Sequence, residues 1–198
     1  MRISQRFLIF VLGSALLWYT FVPIYGWIFA WAEFGPGINW VYLPHGIRMA
    51  LVLLFGVAGA LGFSLGAQLL SFTLLPSGLV NEPPMLHVAL AAVPGLAAWI
   101  AARLTLKDWP GRYLWQSAPA DVAAVDGSRL LLLAFASAVL NSAGHGMAWL
   151  AFGNNLAHLG DRFFAMFVGD LLGALILLYS LKALLNVLDR ARFRHRGS

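Results

Sequence analysis

The chain has 198 residues, of which 61% are hydrophobic and only 11% are charged. Soluble domains are about half apolar and about a quarter charged, so this composition excludes an ordinary soluble domain and indicates an integral membrane protein. No cysteine is present, which excludes disulfide bonds, thiolate metal sites and a cysteine nucleophile. The net charge of +5 comes from positive residues clustered in particular loops, and we interpret it as a signal of membrane topology.

The N-terminal stretch Met1–Arg6, followed by apolar residues, resembles the start of a secretory signal peptide. The apolar run continues to about Trp31, however, without a small-residue cleavage site. We therefore expect this segment to be retained as the first membrane span.

Five further apolar segments follow, and they predict one all-α, polytopic membrane domain over residues 1–198, with about six transmembrane helices. A span needs about 20 apolar residues. The predicted spans are about 7–31, 38–55, 57–75, 85–102, 130–152 and 163–187. The join at Gly56 carries no charged residue, so residues 38–75 form either two spans or one broken element.

Two connecting regions predict contacts with the membrane surface. Trp27, Trp31 and Trp40 crowd the turn after the first span, and clustered tryptophans mark a membrane–water interface. The loop from Arg103 to Arg129 mixes basic and aromatic residues, which is typical of a stretch lying against lipid headgroups.

With six spans, the lysines and arginines fall almost entirely on the side of the two termini. This distribution predicts that both termini are cytoplasmic in a bacterial inner membrane. The opposite side receives Arg162 alone, while Arg48 is buried in a span. The terminal side receives Arg2, Arg6, Arg103, Lys107, Arg112, Arg129, Lys182, Arg190, Arg192, Arg194 and Arg196. We attribute the basic tail to this anchoring and to anionic lipids, and we expect no nucleic-acid partner.

Only two charged residues fall squarely within spans, and they have opposite signs. At about 1.5 Å per helical residue, Arg48 lies about 15 Å and Asp170 about 12 Å from the outer side. Charges inside a membrane usually face a partner or a watery cavity. We therefore predict that Arg48 and Asp170 pair across the bundle.

Other polar side chains fall in the same outer half. His45 lies one turn before Arg48, and Asn141 and His145 share a face of the fifth span. These residues, with Arg48 and Asp170, are the predicted ligand-binding set, in a polar cavity that opens outward. Two alternatives are a buried structural pair, with histidines that satisfy backbone carbonyls, and a proton path.

The residue patterns do not favour catalysis. The histidines lack the i, i+3 or i+4 spacing of a metal site, and no paired spacing supports haem. The serines and aspartates lie in no recognisable protease or hydrolase setting, and no phosphate-binding glycine loop is present. We therefore expect neither an enzyme nor a cofactor.

Two motifs resemble those of MASE-type membrane-associated sensor domains. The stretch Leu43–Gly56 contains "P-x-G-I" at Pro44 and "LL-x-G" before Gly56, and residues 169–173 read "G-D-x-x-G". The resemblance covers about residues 38–185 and implies a bacterial inner-membrane sensory module. His45 and Arg48 are not part of the shared pattern.

The chain departs from that family in two ways. Members usually have about eight spans, whereas six are predicted here, and they usually precede a cytoplasmic kinase or nucleotide-cyclase domain. The sequence therefore predicts a sensory or ligand-binding module that signals through a separate protein partner.

Two other functions stay open at this stage. One is the substrate-binding S component of an energy-coupling-factor transporter, which also has about 200 residues and six spans. Its docking surface could be Ala58, Gly62 and Gly66, whose four-residue spacing lets helices approach closely. The other is a structural subunit or assembly factor of a membrane complex.

Overall fold

The computed structural model describes residues 3–35, 37–74, 81–106, 125–153 and 156–196, with side chains described between residues 5 and 188. The all-α prediction is confirmed. These residues form six α-helices, one short 3-10 helix (Ala30–Ala32) and one small hairpin: α1 (Ile3–Ile28), β1 (Glu33–Gly35), β2 (Ile38–Asn39), α2 (Leu43–Phe55), α3 (Val57–Thr73), α4 (Pro84–Thr105), α5 (Gly127–Phe152) and α6 (Leu159–Arg196). Most of the predicted surface loop 103–129 and the end of the third predicted span lie outside the described residues.

The helices run in alternating directions. Phe10 stacks on Phe55 and Tyr25 packs on Tyr42, so α1 and α2 are antiparallel. Along the other face of α1, Gly62 lies against the Val11 carbonyl. Gly66 lies against Ala15 one turn later, so α1 and α3 are parallel. The contacts of Gly62 and Gly66 also confirm that the small residues of α3 permit close packing against α1.

Contacts at the two ends of α5 and α6 show that these helices are antiparallel. The Arg162 guanidinium lies over the Trp149 ring, and the Tyr179 hydroxyl donates to the Gly127 carbonyl. The helices α2 and α6 are parallel, because Gly46 packs on the Gly173 carbonyl and the Tyr42 N–H donates to the Gly169 carbonyl. The start of α1 and the end of α6 therefore lie at one end of the bundle, which we call the terminal end. The other end carries β1 and β2 and is called the hairpin end.

The centre of the bundle is α2, which packs against α1, α3, α4 and α6. Its core residues Met49, Val52 and Leu53 are fully buried. An apolar cluster surrounds them, with alanines of α4 and leucines of α5 and α6. No residue of α2 is exposed, and its buried face is a position where a membrane protein can hold a charge.

The second span, predicted to begin at residue 38, is helical only from Leu43. Residues 38 and 39 form the second strand of the hairpin, and α2 begins only at Leu43, with Pro44 in its first turn. Proline suits that position because its missing N–H would have no helical partner there. Ile38 and Asn39 are buried in the protein, so their irregular backbone is shielded from lipid, as membrane depth requires.

The join at Gly56 is a sharp reversal between two helices. Gly56 has φ +59° and ψ −133°, a conformation that is essentially restricted to glycine. Beyond it, Gly59 packs so closely on the Leu51 carbonyl that a Cβ there would lie 2.2 Å from the oxygen. The helices α2 and α3 therefore run in opposite directions and are not one broken helix.

Within the described residues, four helices are long and apolar enough to cross a membrane: α1, α4, α5 and α6. The helices α2 and α3, with 13 and 17 residues, are apolar but shorter. The structure thus supports a membrane domain with four candidate spans, and the count of six spans stays a prediction.

Both C-terminal helices begin earlier than predicted. The Asp126 carboxylate caps α5 by accepting a hydrogen bond from the Ser128 N–H at 3.1 Å, so the helix starts at Gly127 instead of residue 130. Hydrogen bonds from the side chain and the backbone of Ser128 hold the pKa of the Asp126 carboxyl below its usual value. The last helix, α6, starts at Leu159 instead of residue 163.

Candidate functional site

The five predicted ligand-binding residues do come together, on α2, α5 and α6. Arg48, His45, Asn141 and Asp170 are each at most 2% exposed, and His145 is partly buried beside them. Arg48 and Asp170, which were predicted to pair across the bundle, pair indirectly. Asn141 lies between the two charges and connects them.

The Arg48 guanidinium has one polar partner and two aromatic ones. Its Nη1 donates to Asn141 Oδ1 at 3.0 Å. Its central carbon lies 5.0 Å from the Phe63 ring centroid and 5.7 Å from that of Trp18. These rings stabilise the cation without accepting conventional hydrogen bonds. Among the described residues, Arg48 Nε has no hydrogen-bond partner.

Each oxygen of the Asp170 carboxylate faces a nitrogen. Asn141 Nδ2 donates to Oδ2 at 2.5 Å, and His45 Nδ1 lies 3.3 Å from Oδ1. The amide of Asn141 thus accepts from the cation and donates to the anion, which fixes its orientation. Both His45 nitrogens are buried, and neither makes a hydrogen bond in the part of the chain that the structure describes, so the approach of Nδ1 to Asp170 is a close contact without a hydrogen bond.

The predicted pairing of Asn141 and His145 on one helix face is confirmed. His145 Nδ1 donates to the Asn141 carbonyl oxygen, one turn earlier, at 2.9 Å. This bond sets the tautomer of a neutral imidazole, because Nδ1 then carries the proton and Nε2 is left as an acceptor.

The glycines of the "G-D-x-x-G" motif bring Asp170 to this network. Gly169 lies against the Asn39 carbonyl and Gly173 against the Tyr42 carbonyl, and added Cβ atoms would be 1.8 and 1.9 Å from those oxygens. The Tyr42 N–H also donates to the Gly169 carbonyl at 2.9 Å. The segment before α2 is therefore seated directly on α6, beside Asp170. Gly46, from the "P-x-G-I" motif, packs on the Gly173 carbonyl in the same way.

A cavity of about 290 Å³ lies next to the network, toward the hairpin end. Arg48, Asn141, His145 and Asp170 line it, whereas His45 does not and instead supports Asp170 from the side. The rest of the lining is mostly apolar and comes from α1, α3, α4 and the hairpin: Trp18, Val22, Pro23, Phe63, Ala67, Leu70, Leu74, Leu90, Pro94 and Ile38 belong to it. An apolar cavity with a few convergent polar groups is the usual form of a small-molecule site.

Several residues of this site were missed by the sequence analysis. Trp18 and Phe63, which hold the Arg48 guanidinium, lie in runs of apolar residues that give no sign of a polar neighbour. Asn39 and Tyr42 were assigned to a span and its preceding turn. The four-residue spacing of Gly169 and Gly173 was the available signal, because it indicates a close backbone approach.

Within the described ranges, no group of three or more His, Asp or Glu residues could hold a metal ion. The polar wall offers hydrogen-bond donors from Arg48 and an acceptor on His145, in an otherwise apolar chamber.

The family model of MASE1 matches residues 11–197, nearly the whole chain. The chain belongs to the MASE1 family. The resemblance found in the sequence is thereby confirmed, and the family is one of membrane-associated domains. No curated protein and no solved structure is significantly similar to this MASE1 chain.

Proposed function

We propose that this MASE1 protein is a bacterial inner-membrane sensory domain whose cavity binds a small ligand from the extracytoplasmic side and whose α6 passes the signal to an effector protein. The observation that carries the proposal is the cavity of about 290 Å³, with a buried, hydrogen-bonded polar wall, inside a protein of the MASE1 family. In this proposal the protein binds its ligand, catalyses no reaction and needs no cofactor.

The orientation rests on charge. The hairpin end carries Arg162, whereas Arg6, Arg103, Arg129 and Lys182 lie toward the terminal end. Positive residues favour the cytoplasmic side, so we place the terminal end in the cytoplasm. The cavity, near the hairpin end, would then be reached from the outside.

The transmission route rests on α6. This helix carries Asp170 at the cavity and extends to Arg196 at the terminal end. Between these two points α6 is hydrogen-bonded to the start of α5. The Lys182 ammonium donates to the Val125 carbonyl, and the Tyr179 hydroxyl donates to the Gly127 carbonyl. A ligand that shifts Asp170 can therefore act on the cytoplasmic end through one continuous helix. Such a shift requires that the ligand bind two states with different affinity.

Ligand retention is the direct test of this function. We expect native mass spectrometry of the protein, extracted in its own lipids, to show a small molecule bound at about one per chain. The variant Ala67→Phe should lose it, because Ala67 lines the cavity and the added ring occupies the space.

Leu65→Phe is the matched control, since Leu65 is on the same helix but 41% exposed on its outer face. This variant should retain the molecule. A wild-type protein that arrives bare, or a molecule retained equally by both variants, would count against the proposal. Accumulation of the ligand inside cells with an ATPase module would indicate a transporter component instead.

A further inference from the structure

The polar wall of the cavity has unequal hydrogen-bond demands. Both oxygens of Asp170 already face nitrogen atoms, from Asn141 and His45. On the cationic side, Arg48 uses Nη1 for Asn141, and its buried Nε has no partner. Buried donors without acceptors are costly. The wall therefore lacks an acceptor beside Arg48, which lines the cavity.

The charges of the wall, in contrast, already balance. The Arg48 cation and the Asp170 anion are coupled through a single amide, and the rings of Trp18 and Phe63 further stabilise the cation. A ligand with a net charge would add an uncompensated charge to a buried site, which is strongly unfavourable. A neutral ligand adds an acceptor without disturbing this balance.

We propose that the cavity takes an uncharged molecule with a carbonyl-type oxygen and an apolar body. The oxygen accepts a hydrogen bond from the Arg48 guanidinium. The body lies among Trp18, Leu70 and Leu90, which line the same space. This inference rests on the proposed sensory function and names the chemical class of ligand that the cavity would bind.

Four probes with a common phenyl group and matched side-chain length separate the chemical classes. They are 4-phenylbutan-2-one, which is a neutral acceptor, 3-phenylpropanoate, which is an anion, phenylalanine, which is a zwitterion, and butylbenzene, which has no acceptor. Binding to the protein in lipid nanodiscs is measured by saturation-transfer NMR, with empty nanodiscs subtracted for lipid partitioning.

We expect the ketone to bind at least about tenfold more tightly than each of the other three, as a hydrogen bond to a charged donor predicts. Tighter or equal binding of the anion or the zwitterion would overturn the proposal, because it would show recognition of charge. Equal binding of butylbenzene would overturn it as well, because the acceptor would then be irrelevant. The proposal also fails if none of the four probes binds.

Variants connect the binding to the site. Arg48→Met should abolish the preference for the ketone over butylbenzene, because methionine has no N–H group to donate. Because this variant leaves Asp170 buried without its counter-charge and can fail to fold, Ala67→Phe and Leu65→Phe provide a second comparison. Ketone binding should be lost in the first and kept in the second, and equal binding to both would place the ketone outside the cavity and overturn the proposal.

The outcomes distinguish this inference from the proposed function. If a native molecule is retained by the wild type and lost in Ala67→Phe, while the ketone does not bind, the ligand class is wrong and the sensory function stands. If the ketone binds as expected but no native molecule is retained, the sensory function is in doubt and the cavity chemistry stands.

Discussion

Replacing Arg48 by methionine is expected to lower the free energy of unfolding by about 3–5 kcal/mol, because Asp170 would then stay buried without its counter-charge. Asp170→Asn should have a similar effect from the other side, since it leaves Arg48 uncompensated at 2% exposure. The two charges do not touch, yet Asn141 couples them, with hydrogen bonds of 3.0 and 2.5 Å. The measurement is reversible unfolding in mixed detergent micelles.

The double variant Arg48→Met, Asp170→Asn should recover a large part of the loss, because both charges are then gone. Fully additive losses would contradict the coupling. Arg103→Met is the control, because Arg103 is an exposed arginine that also lies over a tryptophan, with 4.7 Å between its guanidinium and the Trp99 ring. It should cost about 1 kcal/mol or less.

The second large effect is expected at the glycines beside Asp170. Gly173→Ala should destabilise the protein by about 3 kcal/mol, at the upper end for overpacking. The reason is that the new methyl group would lie 1.9 Å from the Tyr42 carbonyl oxygen, and a backbone atom cannot turn aside as a side chain can. Gly169→Ala should act similarly on the Asn39 carbonyl. Both variants should also lose the retained ligand, because the segment they displace lines the cavity.

Gly146→Ala is the matched control for these variants. Gly146 lies inside α5, and no atom is within 4 Å of an added Cβ. Alanine is about 1 kcal/mol more favourable than glycine in a helix, so this variant should be as stable as the wild type or slightly more so. Tolerance of Gly173→Ala at the level of this control would mean that α6 and the segment before α2 are not in close contact.

Much of the helix pattern could be predicted from the sequence, because long apolar runs have few alternatives in a membrane protein. The start of α2 could not. Residues 38–42 are mostly apolar and aromatic, as a membrane helix would be, and their non-helical path lies against Gly169 and Gly173, about 130 positions later. Pro44 was the local signal for the true helix start.

The meeting of Arg48 and Asp170 was predicted from depth, with a helix assumed to start at residue 38. The helix in fact starts five residues later. The two residues nevertheless lie at a similar level, because α2 and α6 run side by side, with Gly46 packed on the Gly173 carbonyl. The role of Asn141 as a bridge could not be predicted, since it depends on side-chain geometry between three helices.

The account depends most directly on a water-accessible cavity that opens at the hairpin end, away from the termini. Because the chain has no cysteine, a single introduced cysteine reports its own surroundings. Ala67→Cys lies in the cavity lining, and Leu65→Cys lies on the exposed outer face of the same helix. A membrane-impermeant maleimide, added outside intact cells, is expected to label Ala67→Cys and to leave Leu65→Cys unreacted in lipid. Labelling of Ala67→Cys only after the cytoplasmic side is opened, or equal labelling of the two positions, would contradict the account.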